Sequence, residues 1–213
     1  MRIAVFGAAG NVGSRIVAEA LARGHDVTAV VRDAARLRDV HAPARGRTGD
    51  AANVEHVIAL GKDHDVLVGA TRPPLGREPD LVATAKALLA GVARSDARLV
   101  LVGGAATLVV PGSDGTTVMD DPRFLEPAYR AIAVACAAQL EACRGEATAD
   151  WTYLSPPALL SPGARTGHYR LGGDELLVDA AGQSSISMED FAAALLDEVE
   201  RPAHRRARFT VGY

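Results

Sequence analysis

Near its start the chain reads RIAVFGAAGNVG over residues 2–13. The apolar run Ile3 to Phe6 predicts a buried strand, and the amphipathic stretch Val12 to Arg23 predicts a helix that ends at Gly24. Glycines in the connecting loop permit a tight turn, close approach of a pyrophosphate to the backbone and close packing of the helix. The stretch therefore predicts a β–α unit that binds a dinucleotide, with a plain glycine-rich turn as the alternative. The expected contacts come from Gly7, Ala9, Gly10, Asn11, Val12 and Gly13.

The rest of the chain alternates short apolar runs with amphipathic stretches, which is typical of parallel βαβ units. We therefore predict an α/β fold, a doubly wound Rossmann-type sheet with helices on both faces. Residues 1–213 are expected to form a single domain, in which residues 155–190 add a small substrate lobe. The predicted strands are 2–6, 26–31, 45–48, 65–69, 98–102, 151–154, 176–179, one near Tyr169 and 209–211. The predicted helices are 12–23, a short one from Asp33, 51–60, 80–94, 127–143 and 188–200.

Composition excludes several classes of protein. A net charge of -3 gives no basic surface for nucleic acid. The longest apolar runs, Val27 to Val31 and Leu99 to Val102, fall far short of the ~20 residues that span a bilayer, and no signal-peptide pattern is present. Cys136 and Cys143 are seven residues apart on a predicted helix, about 10.5 Å along its axis, so we expect free thiols and a cytoplasmic protein. The histidines have no metal-site spacing, and no feature defines an oligomeric state.

Arg32 directly follows the second predicted strand, about twenty residues beyond the glycine loop, where the residue that contacts the adenosine ribose is expected. An acidic residue there would bind the ribose hydroxyls of NAD(H). Arg32 instead suits a 2′-phosphate, so NADP(H) is the preferred cofactor and NAD(H) the alternative. A shift of one residue would make Asp33 the ribose contact, although Asp33 is also a suitable N-cap for the next helix.

Further along, the chain carries Gly49-Asp50, Gly103-Gly104, the run DWTYLSP at 150–156, and Arg165-Thr166-Gly167 ahead of Tyr169-Arg170. With the glycine loop, these residues resemble the atypical short-chain dehydrogenase/reductase superfamily. The resemblance is to its NAD(P)H-binding branch, which includes proteins labelled NADH-flavin reductases and is similar to NmrA-like and biliverdin-reductase-B-like proteins. It covers nearly the whole chain.

This resemblance implies further cofactor contacts. It places Asp50, after Gly49, beside the adenine, the backbone of Gly69, Ala70 and Thr71 near the adenosine ribose, and Pro156 and Pro157 beside the nicotinamide, with Gly103 and Gly104 at the same edge. Each has a structural alternative. Asp50 could cap a helix that starts at Ala51, the glycine pair could be only a turn, and the proline pair only a rigid strand exit.

The chain lacks the Tyr-x-x-x-Lys pair with which most catalytic members of the wider superfamily transfer protons. Its only lysines are Lys62 and Lys86, and neither follows a tyrosine at that spacing. Alcohol oxidation and sugar epimerisation by that route are therefore disfavoured. The remaining catalytic candidates each have a structural alternative: Thr107 could be a solvated loop hydroxyl, Tyr129 could pack on its helix, and His168 could lie on the surface or cap a turn.

These observations favour an NADPH-dependent reductase whose small-molecule acceptor is a flavin, a quinone or a similar flat ring. Such an acceptor needs to stack on the nicotinamide and can take its proton from water, so no dedicated acid is required. The alternative is a non-catalytic NADP(H)-binding redox sensor of the NmrA-like kind. An epimerase- or dehydratase-like enzyme is a third alternative, opposed by the missing lysine and the short lobe.

Overall fold

The computed structural model describes all 213 residues, from Met1 to Tyr213. In chain order the strands are β1 Arg2–Phe6, β2 Asp26–Val31, β3 Arg45–Thr48, β4 Val66–Gly69, β5 Arg98–Val102, β6 Trp151–Ser155, β7 Leu159–Ser161, β8 Arg170–Gly172, β9 Ser185–Ser187 and β10 Ala207–Gly212. The α-helices are α1 Asn11–Ala22, α2 Val54–Asp63, α3 Asp80–Val92, α4 Arg130–Arg144 and α5 Met188–Glu200. Short 3-10 helices span Ala34–Asp39, Val118–Asp120 and Pro127–Tyr129.

Eight strands form one sheet in the order β3-β2-β1-β4-β5-β6-β10-β8, and β7 pairs with β9 in a separate two-stranded sheet. All neighbours in the large sheet are parallel except β8, which runs antiparallel to β10. The chain builds outward from β1 to β3, then returns to add β4 on the other side of β1. The order therefore reverses between β1 and β4, which is where open α/β sheets bind their ligands. The predicted α/β fold is confirmed.

Helices cover both faces of the sheet because its strands are apolar on both faces. On one face α1 and α5 pack together, and their Ile16 and Phe191 share a core with Ile3 and Val5 of β1. On the other face lie α2, α3 and α4, whose shared core contains Ala4 and Phe6, the alternate residues of β1. The two faces are thus separate layers, with α1 on the opposite side of the sheet from α4.

Most of the predicted elements are observed, but two predictions are wrong and two short strands were missed. Helix α2 begins at Val54 rather than Ala51, because the Asn53 side chain accepts from the backbone N–H groups of Glu55 (3.0 Å) and His56 (3.3 Å). Residues 176–179 form no strand. Leu176 instead packs in a small apolar cluster with Leu108, Val110 and Val118. Strands β7 and β9 were not predicted.

The same apolar cluster also includes residues of the loop 103–122, which follows β5. Leu108 and Val118 are buried there. The backbone of Val109 bonds to Asp174 and Leu176 on the segment that follows β8. The loop is therefore fixed to the C-terminal lobe. No helix of the chain combines the length and the apolarity needed to cross a membrane.

Candidate functional site

The loop between β1 and α1 is closely packed at two of its glycines. Gly7 has a φ of +78°, and a Cβ there would overlap the backbone carbonyl of Ala70, which follows β4. A Cβ at Gly13 would overlap the carbonyl of Gly7 itself. The loop closes on a hydrogen bond from the Gly10 N–H to the Gly7 oxygen at 2.9 Å. Glycine is therefore required at positions 7 and 13 to bring this loop and the start of α1 against β4.

The first turn of α1 presents unpaired N–H groups. Gly10 is the N-cap and offers no side chain, and the first turn contains no acidic residue. The backbone N–H groups of Asn11 and Val12 donate to no other group of the chain. Free N–H groups and the positive end of the helix dipole together favour a bound anion. The loop lies at the carboxyl end of β1, where the strand order reverses. These features fit the pyrophosphate of a dinucleotide.

Arg32 lies just past β2, is exposed, and makes no hydrogen bond or ion pair. The neighbouring Asp33 accepts from the Ala35 N–H at 2.9 Å and is the N-cap of the following 3-10 helix. One oxygen of the Asp33 carboxylate therefore caps a helix, whereas the Arg32 side chain makes no contact of this kind within the chain.

Sequence reasoning missed Arg36, which brings a second guanidinium to the phosphate loop. Its Nη2 donates to the backbone oxygen of Ala9 at 2.8 Å, and its Nε donates to Asp39 at 2.6 Å. No local sequence pattern indicates this contact, because Arg32 precedes the 3-10 helix Ala34–Asp39 and a spacing of four residues does not fix the direction of Arg36. Arg36 therefore ties the 3-10 helix after β2 to the phosphate loop.

Asp50 does not cap α2. Its side chain accepts from the Ala52 N–H at 2.9 Å, and its own N–H donates to Nδ1 of His56 at 3.1 Å. Gly49 follows β3, and a Cβ there would lie 2.9 Å from Val30. The contact of Asp50 with adenine stays a prediction.

The glycines at the end of β4 and just after β5 are explained by packing. A Cβ at Gly69 would lie 2.7 Å from Leu101, one at Gly103 would overlap the ring of Tyr153, and one at Gly104 would lie 2.7 Å from Cys136. These side chains leave no room for a larger residue. This supports the interpretation of Gly103 and Gly104 as a tightly packed turn, and their direct contact with a cofactor stays a prediction.

Tyr153 supports that turn from the core. Its hydroxyl accepts from the Gly104 N–H at 3.1 Å and lies 3.1 Å from two acceptors, the backbone oxygen of Cys136 and Oε1 of Gln139. Burial raises the pKa of Tyr153 far above its ordinary value. Tyr153 is therefore a structural residue and not a proton donor.

At the end of β6, Ser155, Pro156 and Pro157 are all buried. The Ser155 hydroxyl has no hydrogen-bond partner, while its backbone oxygen accepts from Thr210 at 2.9 Å. The proline pair leads the chain from the large sheet into β7, so it is at least a rigid strand exit. Its place beside a nicotinamide stays a prediction.

The structure does not bring the three catalytic candidates together. Thr107 is half-buried and its hydroxyl accepts from Arg208 at 3.4 Å, and its role in catalysis stays a prediction. Tyr129 is 52% exposed, and the prediction that it packs on its helix is wrong because α4 starts one residue later. His168 is exposed. No group of three or more His, Cys, Asp or Glu side chains is placed to hold a metal ion.

Comparison with known proteins agrees with this geometry. Residues 7–202 match the model of a family described as NAD(P)H-binding. The chain belongs to this family. It is 36% identical over 213 residues to the uncharacterized protein YwnB of Bacillus subtilis (strain 168), with 99% of this chain and 98% of YwnB covered.

Two solved structures share the whole fold with this NAD(P)H-binding protein. A candidate exported protein from Burkholderia pseudomallei has a TM-score of 0.89 and 37% identity, with 100% of both chains covered. SP1627 from Streptococcus pneumoniae TIGR4, a candidate NADH-flavin reductase, has a TM-score of 0.85 and 27% identity, with 100% of this chain and 99% of that chain covered. The chain thus matches these proteins over its full length and has an NAD(P)H-binding, oxidoreductase-like fold.

Proposed function

We propose that this protein is an NADPH-dependent reductase that delivers hydride to a flat acceptor such as a flavin or a quinone. The observation that carries the proposal is the uncapped first turn of α1 with the unpaired Arg32 beside it, at the edge where the strand order reverses. The likeness to SP1627, named for flavin reduction, supports the acceptor class.

NADPH is expected rather than NADH because Arg32 has no partner within the chain. A guanidinium that already pairs with a carboxylate would lose that pair on binding a 2′-phosphate. Arg32 makes no ion pair or hydrogen bond that such binding would break. Asp33 is held at one carboxylate oxygen as the N-cap of the 3-10 helix, which leaves Arg32 as the residue of the two with a wholly unpaired side chain. SP1627 is named for NADH, so this preference rests on Arg32 of this chain alone.

The chain's own residues would bind and orient rather than exchange protons. The free N–H groups of Asn11 and Val12 would hold the pyrophosphate, and Arg32 the 2′-phosphate. The bound nicotinamide supplies hydride. With no Tyr-x-x-x-Lys pair and with Tyr153 buried and hydrogen-bonded, the acceptor takes its proton from water. Both cysteines are free, which suits a reducing compartment such as the cytoplasm.

The test follows NADPH oxidation with FMN, riboflavin and a quinone, each with and without the protein. Saturable oxidation well above the rate without protein is the expected result. Binding of NADPH with no turnover on any acceptor would contradict the reductase and favour a redox sensor. Absence of NADPH binding would contradict both functions.

A further inference from the structure

Residues 162–168 of the lobe form a segment that the rest of the protein holds only through side chains. The segment lies between β7 and β8, contains no helix or strand, and is exposed along its whole length. None of its residues makes a backbone–backbone hydrogen bond. A segment with few buried contacts and no backbone ladder opens at a low cost in free energy. Its position therefore depends on the few side chains that bond to it.

The side chains that hold segment 162–168 all come from α1, from α5 and from the N-cap of α5. Among them, Glu189 also bonds to the part of α1 that follows the phosphate loop. The bonds are Arg165 to Glu19 at 2.7 Å, the N–H groups of Thr166 and Gly167 to Asp190 at 2.8 Å, the Ser187 hydroxyl to the Ala164 oxygen at 2.7 Å, and the Gly163 N–H to Glu189 at 2.8 Å.

Arg15 of α1 connects Glu189 to the phosphate loop. Its Nε donates to Oε1 of Glu189 at 2.6 Å, and its Nη1 donates to the backbone oxygen of Asn11 at 2.8 Å. The side chains of Arg15 and Glu189 are only 27% and 26% exposed, so water screens this ion pair less than one on the open surface. Oε2 of Glu189 accepts from the Gly163 N–H. The bonds therefore run without a gap from the first turn of α1 to the lobe.

The Asn11 oxygen belongs to the same peptide group as the Val12 N–H. That N–H is one of the two unpaired donors that would hold the pyrophosphate. An anion that accepts from it makes the carbonyl oxygen a stronger acceptor, because hydrogen bonds in a chain polarise one another. The bond from Arg15 to this oxygen should therefore strengthen when the cofactor is bound. The Ser14 hydroxyl also donates to it, at 3.2 Å, but makes no bond to the lobe.

We propose that Arg15 and Glu189 are positioning residues that couple the bound pyrophosphate to the lobe, so that cofactor binding fixes segment 162–168. This inference rests on the proposed function for the place of the pyrophosphate, and it does not depend on the acceptor. A coupling of this kind is reciprocal, so the fixed segment favours the bound cofactor by the same factor.

The experiment measures amide hydrogen exchange of peptides that span residues 162–168, with and without saturating NADPH, whose binding is followed by nicotinamide fluorescence. In the wild type NADPH should slow exchange of this segment about fivefold, the low end of typical couplings between two sites. Glu189→Gln keeps the size of the side chain and removes its charge. Arg15→Lys keeps the charge but lacks the planar guanidinium that bonds to Asn11 and Glu189 at once. Both variants should reduce the effect of NADPH to less than about twofold.

Arg165→Gln is the matched control, because it removes a bond between the segment and α1 that does not pass through Arg15. The Arg165 side chain is half exposed, so the variant should fold. It should speed exchange both with and without NADPH and keep the wild-type ratio of the two rates. A purely structural role of Glu189 would give that same pattern in Glu189→Gln.

The coupling would be overturned by a wild-type segment whose exchange does not change when NADPH binds, or by a Glu189→Gln variant that keeps the wild-type ratio. Absence of NADPH binding would overturn it together with the cofactor site. The proposed reductase fails on a different result, the absence of NADPH oxidation. Protection by NADPH that is lost in Glu189→Gln would still support the coupling in that case.

Discussion

The two arginines beside the phosphate loop differ in whether their side chains are available to a ligand. Arg36 donates hydrogen bonds to Ala9 and to Asp39 and so helps to hold the loop. Arg32 is exposed and forms no hydrogen bond or ion pair. Discrimination between NADPH and NADH depends on one phosphate group, so it should depend on the arginine that is free to bind it.

We expect Arg32→Ala to raise the Kd for NADPH by roughly 10- to 100-fold, the loss of a charge-assisted phosphate contact, and to raise the Kd for NADH by less than about twofold. Titration of intrinsic or nicotinamide fluorescence measures both constants. Arg38→Ala is the matched control, because Arg38 lies on the neighbouring 3-10 helix with its side chain 81% exposed. Equal losses for the two dinucleotides would refute the 2′-phosphate role of Arg32.

At the scale of the element, the turn between β1 and α1 depends on the absence of side chains. Gly13→Ala should abolish measurable NADPH binding and lower Tm, because the new Cβ overlaps the Gly7 carbonyl and pushes the first turn of α1 from its place. Gly173→Ala is the control, since a Cβ there meets nothing within 4 Å. Thermal unfolding with and without NADPH measures both effects. A Gly13→Ala protein that NADPH still stabilises would contradict this view of the loop.

Two residues near the start of α2 have different expected roles, Asn53 in stability and Asp50 in binding the cofactor. Asn53→Ala should lower the free energy of unfolding by about 1 kcal/mol, because it removes the N-cap, and should leave NADPH affinity unchanged. Asp50→Ala should weaken NADPH if Asp50 contacts the adenine. Urea denaturation and NADPH titration of the two variants distinguish these roles. A loss of NADPH affinity in Asn53→Ala would be the contrary result.

Elements with local signals could be predicted from the sequence, and elements without them could not. The bounds predicted for α5, Met188 to Glu200, are the observed ones, and Ser187 caps this helix by accepting from Asp190 at 2.9 Å. Strands β7 and β9 have three residues each and pair across more than twenty residues of chain. Three residues are too few to show an alternating pattern, so their pairing is visible only in three dimensions.

The candidate site was likewise predictable only where its residues carry a local sequence signal. The glycine loop and Arg32 have positions fixed by the β1–α1–β2 unit, and the structure places both at one edge. Tyr129 was misplaced because the helix pattern does not show that Pro127–Tyr129 forms a 3-10 turn before α4. The contact between Arg36 and Ala9 depends on how the 3-10 helix Ala34–Asp39 folds back on the phosphate loop, and no local pattern in the sequence encodes that arrangement.

For the whole molecule, carboxylates of α1 and α5 join these two helices to the lobe. Glu19 of α1 accepts from Arg23 at 2.8 Å and from Arg165 of the lobe at 2.7 Å. Asp197 of α5 accepts from Arg23 at 2.7 Å and from Tyr169 at 2.5 Å. The position of the lobe therefore depends on these groups remaining ionised.

Asp190 of α5 is a third carboxylate that bonds to the lobe, and it gives the sharpest test because it is the most deeply buried of the three. It is fully buried and accepts from the N–H groups of Thr166 and Gly167, both at 2.8 Å, and from the Tyr213 hydroxyl at 2.8 Å. Burial acts to raise the pKa of Asp190, but the hydrogen bonds outweigh it and lower the pKa below the ordinary 3.8. The hydrogen bond from Arg165 likewise lowers the pKa of Glu19 below 4.5.

Because these folded-state pKa values lie below those of the unfolded chain, their contribution to stability is complete above about pH 4.5 and is lost as the pH falls further. Urea denaturation from pH 7 to pH 3 should therefore show a fall in the free energy of unfolding that begins near pH 4.5. Asp190→Asn should be less stable at pH 7 and should show a shallower fall, since one of the ionising groups is gone. Asp96→Asn, at an exposed carboxylate without an ion pair, should follow the wild type. If Asp190→Asn kept the wild-type pH dependence, the ionised Asp190 would not be what holds the lobe against α5.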